Sequence, residues 1–289
     1  MGDETVNADP VLYEQRGTTA LITLNRPDAR NAQNTRMTIA LDDAFMRFAQ
    51  DDSARVAILT GAGKHFSAGH DIGTDEMDYD DEFERRGVWW NHTDKEVAER
   101  WMSYEEEYYL GMCRRWREIP KPTIAMVNGA CIAGALILAW SCDLIVASDD
   151  AFFSDPVVQM GVPGIEFFAH PWEMGSRFAK EFLFLGERVP AARAYELGMV
   201  NRVVPRAELE SATFDIAERI ARMPAFGLAL AKQAVNQADD AKGLRTGVDG
   251  AFALHQLAHA HNYAVSGSPM LMQSVESMRD AAAPGGRHP

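Results

Sequence analysis

At 289 residues with 47% hydrophobic side chains the chain can bury a core of its own, which excludes a disordered or peptide-sized class. A formal net charge of −14 excludes a surface built for nucleic acid or an anionic membrane, and any anionic small ligand must find a local basic patch. No apolar run reaches the roughly 20 residues that span a bilayer, Met1-Gly2-Asp3-Glu4 lacks the basic start of a secretory leader, and Cys113, Cys131 and Cys142 form neither a metal-type pair nor an even disulfide set, so a cytoplasmic protein with reduced thiols is expected.

Thr18 to Leu24 alternates as a strand, and Thr35 to Ala49 sets Met37, Leu41, Phe45 and Phe48 on one helical stripe that would cover it. Arg55 to Thr60 is a second strand, ending at Gly61. Asp75 to Glu107 crowds Asp and Glu with Trp89, Trp90, Trp101 and Tyr104, and two readings stay open: a lid or pocket wall, or an acidic solvated helix pair. Lys121-Pro122 ends a helix, because the residue before proline is pushed to extended backbone, and Thr123 to Val127 follows as a strand. A helix beginning near Gly134 is apolar on every face through Ala135 to Trp140, hence buried, and Leu144 to Ala147 is another short strand. From Arg206 onward helix formers run on, broken by Pro224, Gly243 and Gly247. The expected organisation is therefore an α/β core over 1–205, with an aromatic and acidic insertion at about 75–107, and a helical region over 206–289 whose tail, Ala281 to Pro289, is expected to be disordered.

Two segments stand out chemically: His65-Phe66-Ser67-Ala68-Gly69-His70-Asp71-Ile72 and Val127-Asn128-Gly129-Ala130-Cys131-Ile132-Ala133-Gly134. Each follows a strand, and the small residues Ala68, Gly69, Ala133 and Gly134 would let a ligand carbonyl approach main-chain N–H donors, as an oxyanion hole requires. The buried helix after Gly134 would aim its positive end at the same place. A dinucleotide site at Gly61-Ala62-Gly63 fails because Phe66 occupies the third glycine position, and Ser67, His70 and Asp71 lack the Gly-x-Ser-x-Gly elbow of a serine hydrolase. His255 and His259 lie one helical turn apart, with His261 nearby, but no His-Glu-x-x-His pattern accompanies them; a solvated or intersubunit face is expected there and no metal site. Asp71 reads as a cap or loop brace.

The chain resembles the crotonase superfamily, the enoyl-CoA hydratase/isomerase family, over nearly its whole length. The resemblance is carried by Leu24-Asn25-Arg26-Pro27-Asp28-Ala29-Arg30-Asn31-Ala32, Gly63 to Ile72, Lys121 to Gly129, Cys142-Asp143-Leu144-Ile145-Val146-Ala147 and Ala194-Tyr195-Glu196-Leu197-Gly198-Met199-Val200. It implies a spiral of ββα repeats with a helical C-terminal trimerisation region, a homotrimer or dimer of trimers, and an acyl-CoA thioester as substrate with no permanently bound cofactor. It further implies that the backbone amides of His70 and Gly134 hold the thioester oxygen, that the loop Ala68, Gly69, His70, Asp71 and Ile72 cradles the CoA, and that Arg26, Arg30 and Lys64 neutralise its phosphates.

The departures bear on mechanism. The two glutamates a hydratase of this family uses are replaced here by Ile137 and Val157, which transfer no proton. Glu166, among Ile165, Phe167 and Phe168, is the first substitute, since poor solvation would raise its affinity for a proton. Asp155 is the second, although its place before Pro156 suits a turn brace, and His170 is a third whose place beside proline suits a structural role. Trp89, Trp90 and Trp101 would line the acyl end. Isomerisation, hydrolysis or a related enolate reaction is then as credible as hydration, and the non-enzymatic alternative is an acyl-CoA-binding scaffold that kept the oxyanion loops.

Overall fold

The computed structural model describes residues 9–270; the expectations for Met1 to Glu4 and for the tail at 281–289 lie outside these residues. Among the described residues nine strands form two sheets. They are β1 (Val11–Arg16), β2 (Thr19–Leu24), β3 (Val56–Gly61), β4 (Thr123–Val127), β5 (Ala130–Ile132), β6 (Leu144–Ser148), β7 (Phe152–Ser154), β8 (Val189–Pro190) and β9 (Arg202–Val204). The larger sheet has the order β1-β2-β3-β4-β6-β9, antiparallel only at the β1–β2 edge, and the smaller has the order β5-β7-β8. Consecutive strands alternate between them: β4 is followed by β5 and β6 by β7, each after a short turn.

The fold is mixed α/β. Strands β3 and β4 are buried along their whole length, as strands covered on both faces must be. One face is covered by α1 (Thr35–Gln50), whose Met37, Leu41, Phe45 and Phe48 are buried as the periodicity predicts and whose N-terminus is capped by Asn34 accepting from the Met37 N–H. Helix α2 (Val97–Glu105) runs through a π-helical turn, Glu106–Leu110, into α3 (Gly111–Arg117). The buried helix is α4 (Gly134–Trp140), with all seven residues buried; α5 (His170–Met174), α6 (Ser176–Leu185) and α7 (Ala191–Glu196) follow.

Three helices complete the described chain: α8 (Leu209–Ala221), α9 (Ala225–Ala241) and α10 (Leu244–Ser266). Helix α8 closes the second face of the large sheet, setting Leu209 and Ala217 against Val56, Ile58, Ile124 and Met126. Helix α10 sends Leu244, Val248 and Phe252 into the main core and packs on α2. Helix α9 buries no residue.

The segment at 75–107 is not a helix pair. It is irregular up to a 3-10 turn at His92–Asp94 and becomes helical only at α2, because its run of acidic residues with few aliphatics offers no apolar stripe to bury. Strand β1, which the sequence reading omits, is an edge strand with mostly exposed side chains, so its alternation carries little hydrophobic signal.

Asp42 links α1 to α3. It is 2% exposed, accepts from Trp116 Nε1 at 2.8 Å and pairs with Arg115 at 2.8 Å, while Phe45 stacks on Trp116 with centroids 4.9 Å apart. Removing Asp42 strands the buried Trp116 N–H without an acceptor and leaves the half-buried Arg115 unpaired. Asp42→Ala is expected to lower unfolding stability by about 3 kcal/mol, measured by denaturant titration; a loss under about 0.5 kcal/mol would show that the set contributes nothing.

Candidate active site

Two loops meet at the C-terminal ends of β3 and β4. Asn31, fully buried, donates through Nδ2 to the carbonyls of Ala62 and His65 and accepts from the Arg26 N–H, which fixes the first loop. Ser67 is also fully buried; its hydroxyl donates to the Asn31 carbonyl and accepts from the Gly69 N–H and Gln33 Nε2. It is a brace, with no freedom to act as a nucleophile. The Ser67 N–H then donates to the Ala130 carbonyl and the Ser67 carbonyl accepts from the Ile132 N–H, drawing the second loop to the first.

Glycine is required where they touch. Gly69 has φ +92°, and a Cβ there would lie 2.7 Å from the Ile132 carbonyl oxygen and 3.1 Å from the Gly134 nitrogen. A Cβ on Gly134 would lie 2.5 Å from Cε1 of His70. Ala133 bends the second loop with φ +49°, a conformation that costs an alanine energy and that tertiary contacts must hold. Its own N–H is spent on Ser154, but among the described residues the N–H groups of His70 and Gly134 have no protein acceptor. His70 and Ala133 are on the wall of one cavity, but Gly134 itself is not; free main-chain donors are the groups that can stabilise a developing oxyanion.

The cavity is about 1270 Å³. Ala68, His70, Asp71, Ile72, Arg30 and Lys64 all line it. Arg30, Lys64 and Arg206 each bear on His65, whose imidazole is pulled down by burial and then by these cations, so a basic patch exists on this acidic chain. Arg188, overlooked in the sequence because nothing local distinguishes it, is on the wall as well. Arg26 is not. Its guanidinium pairs with Asp71 at 2.9 Å and Glu76 at 2.6 Å and donates to the Ala32 carbonyl, which withdraws it from any phosphate. Asp71, whose carboxylate also accepts from the Thr74 N–H and hydroxyl, is a loop brace.

Glu166 lies on the cavity wall, 3% exposed, with Oε2 3.2 Å from His70 Nε2. Burial pushes its carboxyl up, but the charge and hydrogen bond of His70, with His255 behind, outweigh it and hold the carboxyl below the usual glutamate range. This corrects the expectation of a raised proton affinity: the apolar neighbours in sequence are not the neighbours in space. The His70 ring stacks on Tyr109 with centroids 3.8 Å apart.

Asp155 does not reach the cavity. It is 0% exposed, bound to His170 Nε2 at 2.8 Å and accepting from the Ile165 N–H, and so holds the loop that presents Glu166. His170 is fully buried with it. Ile137 is in the core, whereas Val157 lines the cavity. Of the three tryptophans only Trp101 is on the wall; Trp90 is 53% exposed and Trp89 packs against it edge to face.

Three cavity residues are unforeseen. Glu105, at the junction of α2 and the π-turn, is 3% exposed, and His255 and His259 of α10 close on it at 3.6 Å and 2.9 Å. The expected solvated face therefore applies only to His261; His255 and His259 are 5% and 4% exposed because α10 packs that face on α2. Burial opposes the charged forms, but Glu105 drives His255 up to about 9 and raises His259, and the two histidines hold Glu105 well below its ordinary range.

The family model described as enoyl-CoA hydratase/isomerase matches residues 14–267. The chain belongs to that family. It is 42% identical over 269 residues to the putative enoyl-CoA hydratase EchA13 of Mycobacterium tuberculosis, covering 90% of this chain and 83% of that one. It is 31% identical to the 1,2-epoxyphenylacetyl-CoA isomerase of Escherichia coli, over 75% of this chain and 78% of the other. A solved probable enoyl-CoA hydratase from Mycobacterium smegmatis superposes with a TM-score of 0.82 at 46% identity, covering 90% of this chain and 99% of its own. The family's relatives named hydratase or isomerase are enzymes, and so is the class to which this chain is assigned.

The contact between the loops can be tested by volume. Gly69→Ala is expected to cost about 3 kcal/mol in thermal or denaturant unfolding, whereas Gly17→Ala, at φ +61° with nothing within 4 Å of the added methyl, costs about 1 kcal/mol. Equal losses would remove the close approach as the reason for glycine at 69.

Proposed function

We propose that this protein shifts a carbon–carbon double bond along the acyl chain of a CoA thioester, with Glu166 as the base. The thioester oxygen accepts from the N–H groups of His70 and Gly134, which lowers the cost of the enolate formed when the ionised Glu166 carboxylate takes a proton. The same carboxyl then returns that proton at another carbon of the chain. The supporting observation is a nearly buried carboxylate, held ionised by His70, on the wall of a cavity that His70 and Ala133 also line, with the His70 and Gly134 amides unpartnered beside it.

Bond migration needs one carboxylate that both takes and gives a proton, whereas water addition needs a base on water and an acid at carbon. At the two places a hydratase would use stand Ile137 and Val157. The other glutamate on the cavity wall, Glu105, is occupied by His255 and His259. The patch around Arg30 and Lys64, joined by Arg188, supports the binding of CoA phosphates, and Trp101, Tyr104 and Tyr109 offer an apolar wall for the acyl group.

The reading is tested with 3-enoyl-CoA and saturated acyl-CoA substrates in deuterated buffer. Conversion of the 3-enoyl to the 2-enoyl ester without gain of water is expected, with deuterium entering at the γ carbon in the fraction of turnovers where the Glu166 carboxyl exchanges its proton with solvent, and Glu166→Gln is expected to slow it by about 10³-fold while leaving ester affinity within a few fold. A mass gain of one water, undiminished in Glu166→Gln, would overturn it. Binding with no product from the wild type would favour the acyl-CoA-binding scaffold.

The chain further acts as a homo-oligomer, a trimer or a pair of trimers, through its C-terminal helices. Supporting this, α9 buries nothing within its own chain and leaves Phe226 76%, Val235 61% and Leu230 48% exposed. Phe226 and Leu230, four residues apart, share one face of the helix, and an exposed apolar patch of this kind marks a contact surface. Phe226→Asp with Leu230→Asp is expected to shift the mass seen by light scattering toward that of a single chain; an unchanged mass would place the interface elsewhere. No helix among the described residues is long and apolar enough to cross a membrane.

A further inference from the structure

The histidine and glutamate cluster at the inner end of the cavity has a hydrogen-bond pattern that calls for a cation. His255 Nδ1 is 2.7 Å from the Gly164 carbonyl oxygen, and His259 Nδ1 is 2.7 Å from the Pro269 carbonyl oxygen. A carbonyl oxygen only accepts, so Nδ1 carries the proton in both rings and each neutral imidazole turns the lone pair of Nε2 the other way. Both Nε2 atoms face carboxylate oxygens: His259 lies 2.9 Å from Glu105 Oε1, and His255 lies 3.6 Å from Glu105 Oε2 and 3.9 Å from Glu166 Oε1. Lone pairs aimed at anionic oxygens repel, and in a buried place water does not relieve them. Positive charge must lie between them, supplied by protons on the rings or by a metal ion.

We propose that Glu105, His255 and His259 bind one divalent transition-metal ion, with zinc the best fit. One donor atom from each of the three lies within 4.8 Å of the others. A tetrahedral zinc ion with ligands at about 2.0–2.1 Å sets neighbouring donors about 3.3 Å apart; His259 Nε2 lies 2.9 Å from one Glu105 oxygen and His255 Nε2 lies 3.6 Å from the other, so small side-chain shifts bring both rings and one carboxylate oxygen to that spacing. Two neutral imidazoles and one carboxylate suit a borderline-soft cation and leave a fourth position open, the composition associated with reactive rather than closed structural zinc. The carbonyls of Gly164 and Pro269 fix each ring's tautomer and orientation, as the partner on the far nitrogen does for metal-bound histidine.

The donors are held in place before any ion arrives. His255 and His259 share one face of α10, Glu105 ends α2, and Gln256 donates to Glu105 Oε2 at 2.5 Å. Trp101 stacks on His259 at 5.6 Å. All three donors are on the cavity wall, and Glu166 is the next carboxylate along it. This site stands whether or not Glu166 performs the proton transfer proposed above.

The test uses the full chain, stripped with chelator and dialysed, then titrated with zinc chloride by calorimetry and with cobalt chloride by visible absorption. One zinc per chain is expected, with the absorption of low-symmetry four-coordinate cobalt and a rise in melting temperature with zinc concentration. His259→Ala and Glu105→Gln are each expected to weaken binding by about 100-fold or more, while His261→Ala, on the exposed face of the same helix, leaves it unchanged. Circular dichroism of each variant reports whether it folds, and His259→Gln replaces any variant that does not. Absence of stoichiometric binding to the wild type would overturn the site and assign the charge to ring protons. Equal binding by wild type and folded variants would overturn it too, by placing the ion elsewhere.

Discussion

The close approach of two loops, one ending β3 and the other β5, is the constraint on which the site depends. Only hydrogen stands on Gly69 and Gly134 where the loops cross, and this lets the His70 ring lie directly on Gly134. From that one contact follow the neighbouring amide donors, the stacking of His70 on Tyr109 and the contact of His70 with Glu166. The fully buried Asn31 and Ser67 hold the loops with side-chain hydrogen bonds because loop backbone has no ladder of its own to satisfy its polar groups.

Charge in this protein is sorted by place. The chain as a whole is strongly acidic, yet Arg30, Lys64 and Arg188 line the cavity, where they would attract an anion that the rest of the surface repels. Deeper in, two carboxylates are kept ionised against desolvation by imidazoles, His70 for Glu166 and the α10 pair for Glu105. Removing ions from water is costly unless they are paired, so the pairing explains how two buried acids persist in one cavity. Arg26 shows the opposite sorting: it is basic and correctly placed in sequence, but Asp71 and Glu76 take up its charge.

Elements with a strong local pattern were legible. Thr123 to Val127 is the strand read from the sequence, α1 and α4 begin at the residues expected, and the buried face of α1 is the stripe the spacing gives. Within the site, the loop segments at 65–72 and 127–134 were legible because their small residues betray close backbone approach. Glu105 was not: it is the first of three consecutive glutamates, chemically identical until the π-turn buries Glu105 and Glu107 and leaves Glu106 at the margin. The spacing of His255 and His259 was visible, but their burial depends on Glu105, far away in the chain.

The sequence by itself determined the family, the mixed α/β class, the two small-residue loops and the aliphatic residues at 137 and 157, because each resides in residue identity or in short-range periodicity. Tertiary structure alone decided which acids and bases share the cavity, that Asp155 braces while Glu166 faces the ligand space, that Glu166 is held ionised, and that two histidines of the last helix join Glu105. The physical reason is that desolvation and Coulomb interaction depend on distance in space, and folding brings together groups that the chain order keeps far apart.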